Sequence, residues 1–136
     1  MKHEMRIFLV LMFTSSILPS VAAAQDAAAG NAVYDSRCVI CHGDQGDGLG
    51  LIGIVHRAQQ SGVVVTIYPR DFTAGVFKFR STPTGTLPTD DDLFRTITEG
   101  ISRSGMPSHT DLSETDRLDV IAYIKTFSPR WEQDEP

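Results

Sequence analysis

The chain has 136 residues, of which 12 are Lys or Arg and 17 Asp or Glu, for a formal net charge of −5. That length holds one small domain. The acidic balance argues against nucleic acid as a partner.

The first 24 residues have the pattern of an export signal. Lys2 and Arg6 give a positive start. Residues 7–18 are mostly apolar, broken only by Thr14, Ser15 and Ser16, and Ala22 and Ala24 are the small residues of a signal-peptidase site. The pattern predicts a signal peptide over residues 1–24, cleaved after Ala24, and export to the periplasm. The apolar run is well short of the roughly 20 residues that a membrane span needs, so no stable membrane insertion is expected after cleavage. An uncleaved anchor is the alternative. Residues 25–136 carry 10 basic and 16 acidic residues, a net charge of −6. Such a surface favours solubility and permits steering toward a basic docking face.

A helical pattern begins at residues 26–28 and runs to residue 40. Gly30, Tyr34 and Cys38 recur at four-residue steps and share one face. A glycine there weakens the helix and fits a second helix crossing close by. At its end stands Cys38-Val39-Ile40-Cys41-His42. C-x-x-C-H is the attachment signature of c-type haem: two thiols spaced this way reach both vinyl groups of one haem, and the next residue offers its imidazole to the iron. Both cysteines of the chain lie in this motif, leaving none for a structural disulfide or a Cys-only zinc site. The rival readings are a chance pair, a redox dithiol and half a zinc site. The dithiol is expected near a βαβ pattern, and zinc needs further ligands at metal spacing; neither is apparent. Haem attachment generally takes place outside the cytoplasm, in agreement with the export signal.

Residues 43–50 hold four glycines and two aspartates and read as a loop folding round one haem edge. Without G-K-[ST] they do not make a phosphate loop. Val63-Val64-Val65-Thr66-Ile67-Tyr68 has strand composition, or lies extended on the haem, and Pro69 ends it. The Phe77-Lys78-Phe79-Arg80 alternation is strand-like; Pro83, Gly85 and Pro88 then interrupt regular structure. Thr89 is placed to cap a helix, with Asp92 completing a capping-box variant and Asp90 and Asp91 suiting the positive helix end. The same acidic run as a metal or docking site is the alternative. Leu93, Ile97 and Ile101 follow at four-residue spacing, with Gly100 near the stop. Ser113 opens the last helix in the same way, Pro129 ends it, and residues 130–136 are expected to form a flexible tail. No repeat or second domain is visible.

An iron held by His42 has a sixth position. Met1, Met5 and Met12 fall in the signal segment, so Met106 is the one thioether of the mature chain. It sits in Ser104-Gly105-Met106-Pro107, where glycine and proline shape a turn from which a side chain can project inward. Axial ligation by Met106 is expected; a gap-filling core methionine is the bland reading. His56 and His109 are the competing ligands, and His109, three residues beyond Met106, allows a ligand switch.

Taken together, these residues resemble class I cytochromes c, small soluble monohaem electron carriers. Gly30, Tyr34, Cys38, Cys41 and His42 match the family's first helix and haem site, Gly105-Met106-Pro107 its methionine loop, and Val120-Ile121-Ala122-Tyr123-Ile124-Lys125 its last helix. The resemblance covers nearly all of residues 25–129 and implies an all-α fold: three to five helices around one covalently bound haem c, with long loops. It also implies that Gly30 and Tyr34 pack against Val120 and Tyr123. Pro69-Arg70-Asp71-Phe72-Thr73, Phe77-Lys78-Phe79-Arg80-Ser81-Thr82-Pro83 and Leu87-Pro88-Thr89-Asp90 are similar to a bacterial subgroup often encoded with periplasmic redox enzymes. The family usually has a proline after the haem histidine whose carbonyl accepts the imidazole N–H. This chain has Leu51 where that subgroup tends to have proline; a leucine carbonyl can serve as well.

Haem iron with both axial positions filled by protein has no room for substrate, so electron transfer between a redox-protein donor and acceptor is expected, with no catalytic residues. Arg70, Lys78 and Arg80 are candidates to meet the haem propionates or line a docking face, or else are ordinary surface cations. A fixed haem c subunit of a periplasmic oxidoreductase is the first rival. A haem-based sensor or peroxidase is the second, and requires Met106 to be off the iron.

Overall fold

The computed structural model describes residues 25–134 and Pro136. The expected export signal lies outside them. Among the described residues five α-helices and one two-stranded sheet follow in the order α1 (Ala27–Arg37), α2 (Val39–His42), β1 (Val55–Ala58), β2 (Val64–Ile67), α3 (Asp90–Glu99), α4 (Glu114–Lys125) and α5 (Arg130–Gln133). No described helix is long and apolar enough to cross a membrane.

Helix α1 begins where the Asp26 carboxylate accepts the N–H groups of Ala28 and Ala29, filling two of the donors a helix start leaves open. The Asp26 N–H in turn donates to the Asp119 carboxylate on α4 at 2.8 Å. These two helices cross at Gly30, where a Cβ would stand 2.0 Å from the Asp119 carbonyl oxygen. Glycine is therefore a requirement of the crossing. One turn on, Tyr34 is 1% exposed. Its ring lies 5.3 Å from that of Tyr123 and 5.2 Å from that of Phe127, so the expected packing of the first and last helices is present.

Helix α3 has the reciprocal capping box: the Thr89 hydroxyl accepts the Asp92 N–H and the Asp92 carboxylate accepts the Thr89 N–H. Ser113 caps α4 by accepting the Asp116 N–H. The apolar faces of these helices, Leu93 and Ile97 on α3 and Val120, Ile121 and Ile124 on α4, join Tyr34, Phe72 and Phe77 in one core.

Three expectations change. The fold is helical but not all-α, because β1 and β2 pair antiparallel, Val55 opposite Ile67 and Ala58 opposite Val64. The strand composition of residues 63–68 is realised, with a partner that its own composition, Val-His-Arg-Ala, does not advertise. The Phe77–Arg80 alternation is not a strand: Phe77 is buried in the core while Phe79 is half-exposed, and no neighbouring strand satisfies the backbone. The tail expected to be flexible begins with α5, whose Arg130 donates to the carbonyls of Gly75 (2.7 Å) and Gly85 (2.9 Å). Trp131 there meets the Phe77 ring edge-on.

Candidate haem site

Helix α2 is a single turn, and that turn assembles the site. Cys38 ends α1 with its N–H on the Tyr34 carbonyl and starts α2 by accepting the N–H groups of Cys41 and His42. Positions three and four apart on a helical turn are neighbours, so Cys38 neighbours both Cys41 and His42, and one turn carries the two thiols and the imidazole. Both cysteines are free and half-buried. Burial, reinforced by the neighbouring Cys41, pushes the Cys38 thiol up to about 11.

The imidazole of His42 is fixed on two sides. Its Nδ1–H donates to the backbone carbonyl of Arg70 at 3.0 Å, which leaves Nε2 as the unprotonated nitrogen. Its ring stacks on Phe72 with centroids 4.5 Å apart. Burial lowers the His42 pKa; the Arg70 bond opposes this, while charge on His109 and Arg70 adds to it. The neutral imidazole, the form that binds a metal, is favoured. Leu51 is therefore not the acceptor; it is 93% exposed. Pro69-Arg70 takes the place expected directly after the glycine loop. Gly48 allows this approach: its φ is +78°, and a Cβ there would stand 2.6 Å from the Pro69 carbonyl oxygen. The Tyr34 hydroxyl donates to the Gly43 carbonyl at 2.8 Å and ties the residue after His42 to the buried aromatic cluster.

Met106 stands 64 positions after His42 in the sequence and packs, half-buried, on the core cluster that Cys38 and Val39 also meet. Ile101 and Met106 exchange both backbone hydrogen bonds, at 2.9 and 3.3 Å. This closes a short loop that holds one 3₁₀ turn, Ser102–Ser104, and Gly105 in the left-handed region at φ +81°. The thioether is thus presented from a pinned turn. Of the competing ligands, His56 is exposed on the hairpin and bonds Thr66. His109 is half-buried, its N–H on the Ile97 carbonyl.

Beside the methionine turn opens a cavity of about 390 Å³ lined by Lys78, Phe79, Arg80, Arg95, Thr96, Glu99, Gly100 and Ile101. Arg80 is among these residues, and its guanidinium donates to the carbonyls of Pro83 and Phe77. Lys78 is an exposed cation of the same wall that sequence reasoning placed in the same group. Arg70 is not in this wall; it is half-buried beside His42, close enough for its charge to act on the imidazole. The donor set fits haem c: two free thiols and an imidazole on one turn, Nε2 free, a thioether on a pinned loop and cations around a cleft. Among the described residues no three His, Cys, Asp or Glu side chains converge as a metal site would require, so the zinc reading finds no third and fourth ligand there.

These features define a class I-type c-type cytochrome. Residues 25–124 match the profile of the family described as cytochrome c oxidase, cbb3-type, subunit III, and the chain belongs to that family of haem c-binding domains. A search of curated proteins finds no match. Among solved structures, the chain is similar to one of the Kuenenia stuttgartiensis reducing HAO-like protein complex Kustc0457/Kustc0458. Identity is 41% over 79% of this chain, with a TM-score of 0.67. The match spans 45% of that chain, so this protein covers less than half the length of the one it resembles. Family and likeness together make this a c-type haem protein of electron transfer.

Proposed function

We propose that the protein holds one haem c covalently through Cys38 and Cys41, with His42 and Met106 as axial ligands, and relays single electrons in the periplasm after removal of residues 1–24. The observation that carries this reading is the α2 turn, where two free thiols stand beside an imidazole whose Nδ1 is already committed to Arg70. Bound there, the haem supplies an iron that alternates between the ferrous and ferric states.

The chain's own residues do the rest. The Arg70 carbonyl fixes the tautomer and plane of His42 and makes Nε2 a better donor. Phe72 keeps the ring from rotating. The Ile101–Met106 bridge holds the thioether in place in both redox states, so little needs to move when charge changes. Phe72, Phe77, Leu93 and Ile97 exclude water from the interior, which favours the less charged, reduced state. Arg70 and Lys78 place positive charge where propionates or a partner can meet it. With both axial positions filled by protein there is no place for substrate, and the protein is proposed to be a carrier rather than an enzyme.

A second reading, a fixed haem c subunit of a periplasmic oxidoreductase, is favoured by one observation: the similar solved chain belongs to a protein complex. Intact-protein mass spectrometry of the exported protein tests the attachment. The expected result is a chain beginning at Gln25 and heavier by one haem, retained under denaturing conditions. Cys38→Ser with Cys41→Ser should abolish that adduct. A denatured chain free of haem would contradict the assignment.

A further inference from the structure

Among the described residues, 68–89 join β2 to α3 without a helix or strand. Two of them support the candidate haem ligand: the Arg70 carbonyl accepts the His42 Nδ1–H, and the Phe72 ring stacks on the imidazole. A segment with no ladder of its own has to find partners for its backbone elsewhere. Near His42 one is supplied by the glycine loop, where the Gly46 carbonyl accepts the Phe72 N–H at 2.7 Å. Toward α3, Ser81 donates through its N–H and its hydroxyl to the Asp92 carboxylate. The stretch between these anchors is gripped by one side chain from the C-terminal end of the chain.

That side chain is Arg130. Its Nη1 donates to the Gly75 carbonyl at 2.7 Å and its Nη2 to the Gly85 carbonyl at 2.9 Å. One planar fork thus joins two points of the segment ten positions apart, a geometry that suits guanidinium. The approach depends on glycine: Gly75 has φ +59°, and a Cβ there would stand 2.8 Å from Arg130 Cδ and 2.7 Å from Ser128 Oγ.

The grip falls on the turn that carries Phe72, because the Gly75 N–H donates to the Phe72 carbonyl at 3.0 Å. A row of rings runs the same way. Trp131 meets Phe77 edge-on with centroids 5.9 Å apart, Phe77 lies 6.3 Å from Phe72, and Phe72 lies 4.5 Å from His42. Tyr34 and Phe127 also flank the Phe72 ring. Among the described residues neither of them bonds the backbone of 68–89, so the hold on that backbone from the C-terminus is Arg130.

Resting on the haem c reading above, we propose that Arg130 is a positioning residue for the axial His42: by holding the Phe72 turn from α5 it keeps the Arg70 carbonyl on the imidazole Nδ1–H. The C-terminal turn therefore acts on the iron through a segment that touches the ligand, without touching the ligand itself. A hydrogen bond accepted from Nδ1 makes the imidazole more basic and favours the ferric state. When the turn loosens, that bond weakens and the midpoint potential rises.

Arg130→Lys in the holoprotein tests this, since lysine keeps the positive charge but its compact head does not span both carbonyls. Proton NMR of the oxidised protein follows exchange of the His42 Nδ1–H with deuterated solvent, beside the backbone N–H groups of Val120 and Ile121, both 0% exposed. The expected result is ring-proton exchange faster by about tenfold or more with the α4 amides unchanged, together with a raised midpoint potential. Arg130→Gln, which reaches at most one carbonyl, should show the same selective acceleration. Glu132→Gln, also on α5, should leave the exchange as it is. Visible spectra matching the wild type establish that each variant is folded and loaded. Acceleration of ring and helix protons alike, acceleration of neither, or an unmoved potential in Arg130→Lys would overturn the positioning role while leaving haem ligation intact. A wild-type oxidised protein with no hyperfine-shifted ring N–H would overturn ligation by His42, and the positioning role with it.

Discussion

The imidazole of His42 donates through Nδ1 to the backbone carbonyl of Arg70, 28 residues further along the chain, at 3.0 Å. The bond belongs to the backbone, while the charge of Arg70 acts separately through its side chain. The two contributions can be taken apart. Arg70→Gln keeps the carbonyl and removes the charge, so the spectrum and the axial ligands should not change. A positive charge near the iron favours the reduced state; without it the midpoint potential should fall by on the order of tens of millivolts at low salt. Redox titration beside the optical spectrum checks this, and an altered spectrum would show that the guanidinium also supports the ligand.

Gly30 sets the distance between α1 and α4. With a Cβ placed 2.0 Å from a backbone oxygen, neither helix can yield locally. Gly30→Ala should destabilise the holoprotein by at least about 2 kcal/mol, even though alanine is the better helix former. Denaturant unfolding of the two proteins measures it. An unchanged or raised midpoint would mean that the helices do not cross at this point.

Asp92 is 1% exposed. It accepts the Ser81 N–H and hydroxyl, the Thr89 N–H and the Arg95 guanidinium. Burial alone would raise its pKa, but the hydrogen bonds from Ser81 and Thr89 outweigh it and hold the carboxyl well below the usual range. A carboxyl depressed in the folded state adds stability that is complete above its unfolded pKa of about 3.9 and is lost as pH falls below that toward the folded value. Asp92→Asn should cost roughly 2–4 kcal/mol at neutral pH. It should also flatten the loss of stability between pH 5 and the acid limit, compared with the wild type. Unfolding curves across that range test both, and parallel pH profiles would remove Asp92 from the account.

The parts of the site that could be read from the sequence are local. The thiols and imidazole of Cys38, Cys41 and His42 share one turn, Met106 is marked by being the one thioether outside the leader, and Thr89 and Ser113 announce their helices through side chains that bond three residues away. The acceptor of the His42 bond was not legible, because the hairpin is inserted between the glycine loop and Arg70. Counting from His42 leads to Leu51, an exposed residue, whereas chain topology returns Pro69-Arg70 to the ring. Strand β1 was missed for a related reason. His56 and Arg57 break its apolar pattern, and what makes it a strand is the pairing with residues 64–67. A signal was available in Gln59-Gln60-Ser61-Gly62 just before residues 63–68, since Gly62 takes φ +80° at a hairpin turn. The α5 turn depends on Arg130 meeting carbonyls at Gly75 and Gly85, contacts that no local pattern contains.

The central claim is that His42 and Met106 close the iron from both sides. It is tested most directly by the visible spectrum of the holoprotein, oxidised and reduced, with and without carbon monoxide, beside that of Met106→Ala. The account predicts a low-spin c-type spectrum with a far-red methionine–iron band in the oxidised protein and no response to carbon monoxide. The variant should lose that band and bind carbon monoxide when reduced. A high-spin wild-type spectrum, or one that shifts with carbon monoxide, would contradict it, since Met106 would then not hold the sixth position and the iron would be open to small molecules.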